Sequence, residues 1–178
     1  NAIIETATNK VIAGCKKSII PNSITSIGDE AFYGSSIASI SIPNNVTSIG
    51  DQAFLECESL LSISIPNSVR SVGGNAFADC LSLVSVNMGN NITSIEDGTF
   101  EGCTSLATIS LSNSIENIGE EAFASCTSLK SFTVPNSVKS IGEEAFAGCE
   151  TLGTIVLGDK VKEIGNYAFN GCDKLYHI

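Results

Sequence analysis

The sequence predicts a repeat solenoid, a right-handed coil with a parallel β-sheet on one face and short strands with 3₁₀ or α turns on the other. Three observations carry that expectation. Phe32, Phe54, Phe77, Phe100, Phe123, Phe146 and Phe169 follow one another at a spacing of 22 and then 23 residues. Each closes nearly the same phrase, of which Val138–Cys149 is a clean copy. A unit this short cannot bury its apolar residues alone, so successive copies must stack coil on coil around a continuous core.

The complete copies run Ile24–Asn45, Val46–Ser68, Val69–Asn91, Ile92–Ser114, Ile115–Ser137 and Val138–Lys160, followed by a cut-off copy at Val161–Ile178. In order along the unit, Val138–Ile141 reads as a short strand. Glu143–Ala147 reads as one turn of helix, because Ile-Gly-x-x-Ala-Phe-x-x-Cys places apolar residues at i, i+4, i+5 and i+8. The second half of each copy alternates: in Leu106-Ala107-Thr108-Ile109-Ser110-Leu111, Ile109 and Leu111 point inward and Thr108 and Ser110 outward. Each copy thus supplies one strand to a parallel sheet running the length of the array, with neighbours ~4.8 Å apart.

Between these elements lie columns that recur once per copy. Gly28, Gly50, Gly73, Gly119, Gly142 and Gly165 supply either a positive φ or a close backbone approach at the bend. The fourth copy has Glu96 there and offers Gly98 two places later. Asn22, Asn44, Asn67, Asn90, Asn113 and Asn136, continued by Asp159, can hydrogen-bond the backbone at the corner of each coil. Pro21, Pro43, Pro66 and Pro135 precede them and stop the strand, since proline brings no ladder donor. Besides Cys15, the cysteines Cys57, Cys80, Cys103, Cys126, Cys149 and Cys172 keep the 23-residue spacing of the repeat, and no Cys-x-x-Cys occurs. They read as reduced, buried, small hydrophobes, because parallel Cβ vectors in a ladder rarely give a disulfide its ~90° dihedral. Ser35 or Ser36 takes their place in the first copy.

The phrase Ser-Ile-Gly-x-x-Ala-Phe-x-Gly-Cys-x-Ser-Leu-x-Ser-Ile-x-Ile-Pro-Asn-Ser resembles the BspA-like class of leucine-rich repeat, and it covers Ile24–Ile178 almost without interruption. The opening stretch Ile3–Cys15 is not a copy but is similar to the hairpin that precedes or interrupts repeats in that family, with its turn near Thr8–Lys10. Residues 1–23 are therefore expected to form an N-terminal hairpin and partial repeat, and residues 24–178 the leucine-rich repeat array. The resemblance implies a leucine-rich-repeat-like coil in a surface or secreted protein of anaerobic bacteria or some protists, implicated in adhesion to host or microbial ligands.

Composition narrows the classes. At 178 residues and 43% hydrophobic, one domain can bury a sizeable core along an axis. No apolar run approaches the ~20 residues of a transmembrane helix, and no secretory signal opens the chain. The last copy stops without a polar capping unit, presenting Phe169, Leu175 and Ile178, so the sequence reads as a segment of a longer extracellular or cell-surface protein. A net charge of −10 argues against nucleic acid and anionic lipid as partners. The acids recur just after the glycine, at Asp29-Glu30, Asp51, Asp97, Glu120-Glu121 and Glu143-Glu144. One reading is a Ca²⁺-responsive face, but Ca²⁺ wants a cage of roughly 6–8 oxygens. The preferred reading is a solubilising stripe with carboxylates at helix N-termini. The single histidine, His177, gives poor support to Ser/His/Asp or Cys/His machinery or to a zinc site. No phosphate-loop, dinucleotide or metalloprotease motif occurs. The expectation is a non-enzymatic module with neither cofactor nor metal.

The candidate site is the outward row of the long sheet: Ser39 and Ser41, Ser62 and Ser64, Ser85 and Asn87, Thr108 and Ser110, Ser131 and Thr133, then Thr154 and Val156. Ala38, Leu61, Val84, Ala107, Lys130 and Gly153 flank this hydroxyl strip. A host matrix or cell-surface protein is the expected ligand there, with no nucleic acid and no membrane insertion. The strip reads as free of Trp, Tyr and Arg, so affinity would depend on many coils acting in parallel. The alternative is a passive structural spacer presenting another domain of a longer protein, its hydroxyls merely solvating the sheet.

Overall fold

The computed structural model describes residues 2–177, and each copy forms one coil, numbered here 1 to 7 from Ile24 onward. In coils 2 to 6 two strands of each coil pair in parallel with strands of a neighbouring coil. The short strands Ser26–Ile27, Ser48–Ile49 and Ser71–Val72 belong to one sheet, and Ser94–Ile95, Asn117–Ile118, Ser140–Ile141 and Glu163–Ile164 to another. The long strands Ser62–Ser64, Ser85–Asn87 and Thr108–Ser110 form a third sheet, and Ser131–Thr133 with Thr154–Val156 a fourth. Register follows the repeat without slippage, so that Ser48 pairs with Ser71 and Val86 with Ile109. Coil 1 has no long strand, and its path from Phe32 to Ile37 is one residue shorter than that from Phe54 to Leu60. Ahead of it, Ile3–Glu5 and Lys10–Ala13 form an antiparallel hairpin, and Lys10–Ala13 pairs in parallel with Ser26–Ile27.

The third side of the coil departs from the sequence expectation. No helix and no 3₁₀ turn forms over Glu143–Ala147 or its equivalents; the segment is a run of tight turns. Its alternate N–H groups point along the array instead: Glu121, Phe123 and Ser125 donate to the carbonyls of Glu143, Ala145 and Ala147 at 2.9, 2.8 and 2.7 Å. The same triplet joins every pair of coils from 1 to 7. A helix would turn these donors back on its own chain, and the ladder between coils satisfies more of them. The conformation has a cost. Glu30, Gln52, Asn75, Glu121, Glu144 and Tyr167 adopt φ between 52 and 57°, which disfavours an L residue by roughly 1–2 kcal/mol.

The core is a column of rings. Phe32, Phe54, Phe77, Phe100, Phe123, Phe146 and Phe169 stack with centroids 5.0–5.6 Å apart and planes within 14°, the near-parallel geometry that aromatic pairs favour when offset. Beside them each repeat cysteine donates its S–H to the phenylalanine carbonyl of the preceding coil, from Cys57 to Phe32 at 3.1 Å through Cys172 to Phe146 at 3.1 Å. The six repeat cysteines form no disulfide, and the five from Cys57 to Cys149 are fully buried. Ser35 takes the cysteine place in coil 1, where no phenylalanine carbonyl lies before it, and its hydroxyl has no partner.

The glycine column is explained by close approach, not by φ. A Cβ on Gly142 would lie 2.5 Å from the backbone nitrogen of Glu120, and one on Gly119 2.7 Å from that of Asp97. In coil 4 the place is taken by Glu96, whose side chain cannot fit against coil 3 in this way, and the short-strand ladder is interrupted there, between Ser71–Val72 and Ser94–Ile95. Gly98 does not substitute for the missing glycine; it occupies the left-handed turn position at φ 61°. The long-strand ladder is interrupted one coil later, between Thr108–Ser110 and Ser131–Thr133. Coil 5 carries Phe132 where the neighbouring long strands carry Val86, Ile109 and Ile155. Its ring packs against the edges of both Phe123 and Phe146 at 5.1 and 4.8 Å, tilted 60 and 68° to them. On the coil 4 side of this break Ile109 is half-buried, while Val86 and Ile155 are buried.

Candidate functional site

The long strands bring the candidate residues together in two rows. Ser62, Ser85 and Thr108 lie in register, as do Ser64, Asn87 and Ser110. Ser131 and Thr133 continue the rows beyond the interruption and pair with Thr154 and Val156. The inward partners Ile63, Val86, Phe132 and Ile155 are buried, and the outward residues are exposed except Ser85 and Thr154, which are half-buried. The rows are nearly free of internal bonding: Asn87 Nδ2 donates to Ser64 Oγ at 3.4 Å, and Thr154 Oγ1 lies 3.5 Å from the Tyr176 hydroxyl. Ser39 and Ser41 belong to no strand.

The flanking column does not end at Gly153. Tyr176 extends it, seven residues after Phe169 as Leu61 is seven after Phe54. It is 80% exposed, and a Cβ on Gly153 would meet its ring at 3.0 Å. The strip therefore does carry a tyrosine, and counting forward from each phenylalanine finds it in the truncated copy. His177 falls in the hydroxyl row and bridges in parallel with Thr154; Ile178 lies outside the described residues. Leu61 and Val84, 56% and 47% exposed, make the same flank apolar in coils 2 and 3.

The copies thus fold into parallel coils that expose one residue of every two along the long strand. The profile of the BspA type leucine rich repeat region matches residues 4–107 and 48–176, with six copies. The chain belongs to this family. Solved structures agree with it. A leucine-rich repeat protein from Bacteroides ovatus is 40% identical over 87% of this chain, with a TM-score of 0.80, and this chain covers 40% of it. One from Eubacterium ventriosum is 25% identical over 96% of this chain, with a TM-score of 0.88 and 48% of that chain covered. A leucine rich cell surface protein from Faecalibacterium prausnitzii is 27% identical over 77% of this chain, with a TM-score of 0.53 and 52% of that chain covered. This BspA-type chain spans less than half the length of the first two. No curated protein matches it.

The acidic stripe of the BspA-type array has a structural task. With no helix among the described residues, none of these carboxylates sits at a helix N-terminus. Instead Asp29 Oδ1 accepts the N–H of Asp51 at 3.2 Å, Asp51 Oδ1 that of Gly74 at 3.0 Å, and Asp97 Oδ1 that of Glu120 at 2.8 Å. Coil 3 has Gly74 in this place and offers no carboxylate to coil 4, at the same boundary where Glu96 interrupts the short strands. Among the described residues no three acidic, thiol or imidazole groups are gathered so as to hold a metal ion. The asparagine column works in part as expected: Asn67 and Asn136 Oδ1 accept the N–H of Asn90 and Asp159 at 2.9 and 3.2 Å. No helix among the described residues is long and apolar enough to cross a membrane.

Proposed function

We propose that this segment is a non-enzymatic, cell-surface or secreted module that binds a protein ligand, a host matrix protein or a surface protein of another cell, through the outward face of the long sheet. The observation that carries the reading is the register of Ser62, Ser85 and Thr108 beside Ser64, Asn87 and Ser110, a flat exposed surface with little internal hydrogen bonding, bordered by Leu61, Val84 and Tyr176. Exposed leucine, valine and tyrosine beside unengaged hydroxyls give a surface both apolar area and polar specificity. Surface location is supported by the family and by the F. prausnitzii cell surface protein. The small side chains of the rows favour one other reading, a passive spacer, because a solvated hydroxyl ladder binds weakly per coil.

The combined variant Ser85→Glu, Thr108→Glu and Ser131→Glu tests the choice. Each residue points outward, so each substitution should cost no more than about 0.5 kcal/mol, while binding to an immobilised matrix protein or to partner cells should fall sharply as carboxylates are desolvated at the contact. The control, Glu120→Lys with Glu143→Lys on the turn side, should leave binding intact. Binding lost in the control but kept in the strip variant would move the site to the acidic stripe. Adhesion that survives deletion of the array would establish the spacer.

A further inference from the structure

An open groove of about 870 Å³ runs across coils 1 to 3 at the corner that follows the long-strand positions, lined by Ser41, Asn44, Ser64, Asn67, Asn87 and Asn90 over Ile40 and Met88. It opens beside coil 1, whose shortened path lacks a long strand to continue the sheet. The volume is in the range of roughly 300–1,000 Å³ typical of small-ligand sites. None of the lining residues is charged, in a chain of net charge −10. Asn67 Oδ1 is engaged by the Asn90 N–H, and Asn87 Nδ2 by Ser64 Oγ. The side chains of Asn44, Asn90 and Ser41 make no hydrogen bond to the protein, and Asn87 Oδ1 and Asn67 Nδ2 are likewise unengaged.

The lining selects its ligand by chemistry. An ionic group would lose hydration here without meeting a countercharge. A purely apolar segment would cover amides and leave their donors and acceptors unpaired. A neutral polyol suits the lining, since each hydroxyl both donates and accepts, and each carboxamide offers one acceptor and two donors in one plane. The amides recur once per coil, ~4.8 Å apart, while Ile40 and Met88 give an apolar floor for the C–H face of a sugar ring. We propose that the groove binds a neutral oligosaccharide, held chiefly by Asn44, Asn87 and Asn90. The inference does not rest on the protein-binding reading of the strip, although the two surfaces share Ser64 and Asn87.

NMR titration of the whole chain with cellohexaose, maltohexaose and mannohexaose tests it, with polygalacturonate as the charged comparison. At least one neutral sugar should shift the backbone amides of residues 40–44, 64–68 and 87–90, and polygalacturonate should not. Asn44→Ala with Asn90→Ala should raise the dissociation constant by about tenfold or more, the effect of losing one or two net hydrogen bonds. Asn113→Ala, in the same column beyond the groove, should leave it unchanged. Because the replaced side chains bond nothing in the protein, an unchanged melting curve will certify the fold. The proposal is overturned if none of the three sugars shifts these amides up to its solubility limit. It fails equally if the charged polymer shifts them as strongly, or if the double variant binds as well as the parent. The strip variant Thr108→Glu with Ser131→Glu lies outside the groove and should retain sugar binding, which separates failure of this site from failure of the strip.

Discussion

The two interruptions in the strand ladders lie one coil apart, on different faces, and arise from opposite departures from the repeat. Between coils 3 and 4 a side chain, Glu96, stands where the backbone tolerates none, and a carboxylate is missing where Gly74 replaces it. Between coils 4 and 5 the break adjoins Phe132, a ring in a column that is aliphatic in the neighbouring long strands. Neither reaches the third side. The turn ladder crosses both boundaries, with Phe77 donating to Thr99 and Phe100 to Ala122 at 2.9 Å each, and the ring stack crosses them at 5.6 and 5.5 Å. The ring column and the turn ladder together hold the array, and each strand face can open locally without separating coils.

The sharpest way to break this comparison is to remove what both boundaries share. Phe100→Ala takes one ring from the middle of the column, where it is fully buried, and should cost about 3–5 kcal/mol in urea denaturation. A loss under about 1 kcal/mol would mean the stack is not the core of the array. Next, Gly142→Ala should create a third interruption where none exists. Overpacking against the Glu120 nitrogen should cost about 1–3 kcal/mol, and the Gly142 amide, which donates to Ile118 O at 2.8 Å, should lose hydrogen-exchange protection. Conversely Glu96→Gly with Gly74→Asp should close the first interruption, with a gain of about 1 kcal/mol from restored hydrogen bonds and new protection at residues 94–96. Phe132→Ile should close the second with a smaller net change, because lost ring contacts offset restored pairing; protection at residues 131–133 is the readout. An unchanged exchange pattern in either repair would mean that another residue causes the opening.

The last effect is invisible at neutral pH. Burial pushes the Cys57 thiol up to about 11 and Cys103 to about 12, from an ordinary value of 9.0. The folded state thus holds these protons after the unfolded chain has begun to release them. The stability this contributes is complete below pH ~9 and declines as pH rises through the folded values. Thiol labelling at neutral pH without denaturant should be slow at Cys57, Cys80, Cys103 and Cys126 and fast after unfolding. Fast labelling of these four in the folded chain would contradict the shielded column.

Much of this architecture was legible because it is written once per copy. The phenylalanine spacing gave the coil, and alternation gave the outward rows, since a strand of period two must face one way or the other. The apolar spacing of the turn suits a helix; what decides against one is donors satisfied by the next coil, a contact that no single copy contains. The interruptions were half legible. Glu96 stood out as a break in the glycine column, but its consequence depends on which backbone lies beneath it. Phe132 looked like an ordinary core residue. On the candidate site, Tyr176 is hidden because no other copy carries an aromatic residue in its column, and the groove is hidden because it lies beside a coil that lacks its long strand.

The backbone ladders of this array join each coil to the next, so a pull applied to the two ends loads them in series. The coils then carry one tension like links of a chain, and the weakest boundary yields first. Rupture of one coil frees 23 residues, about 80 Å of extended chain at 3.3–3.6 Å per residue. The boundaries on either side of coil 4, each missing one ladder, set where that extension begins, so under tension the array would lengthen from its middle while the coils outside it stay wound.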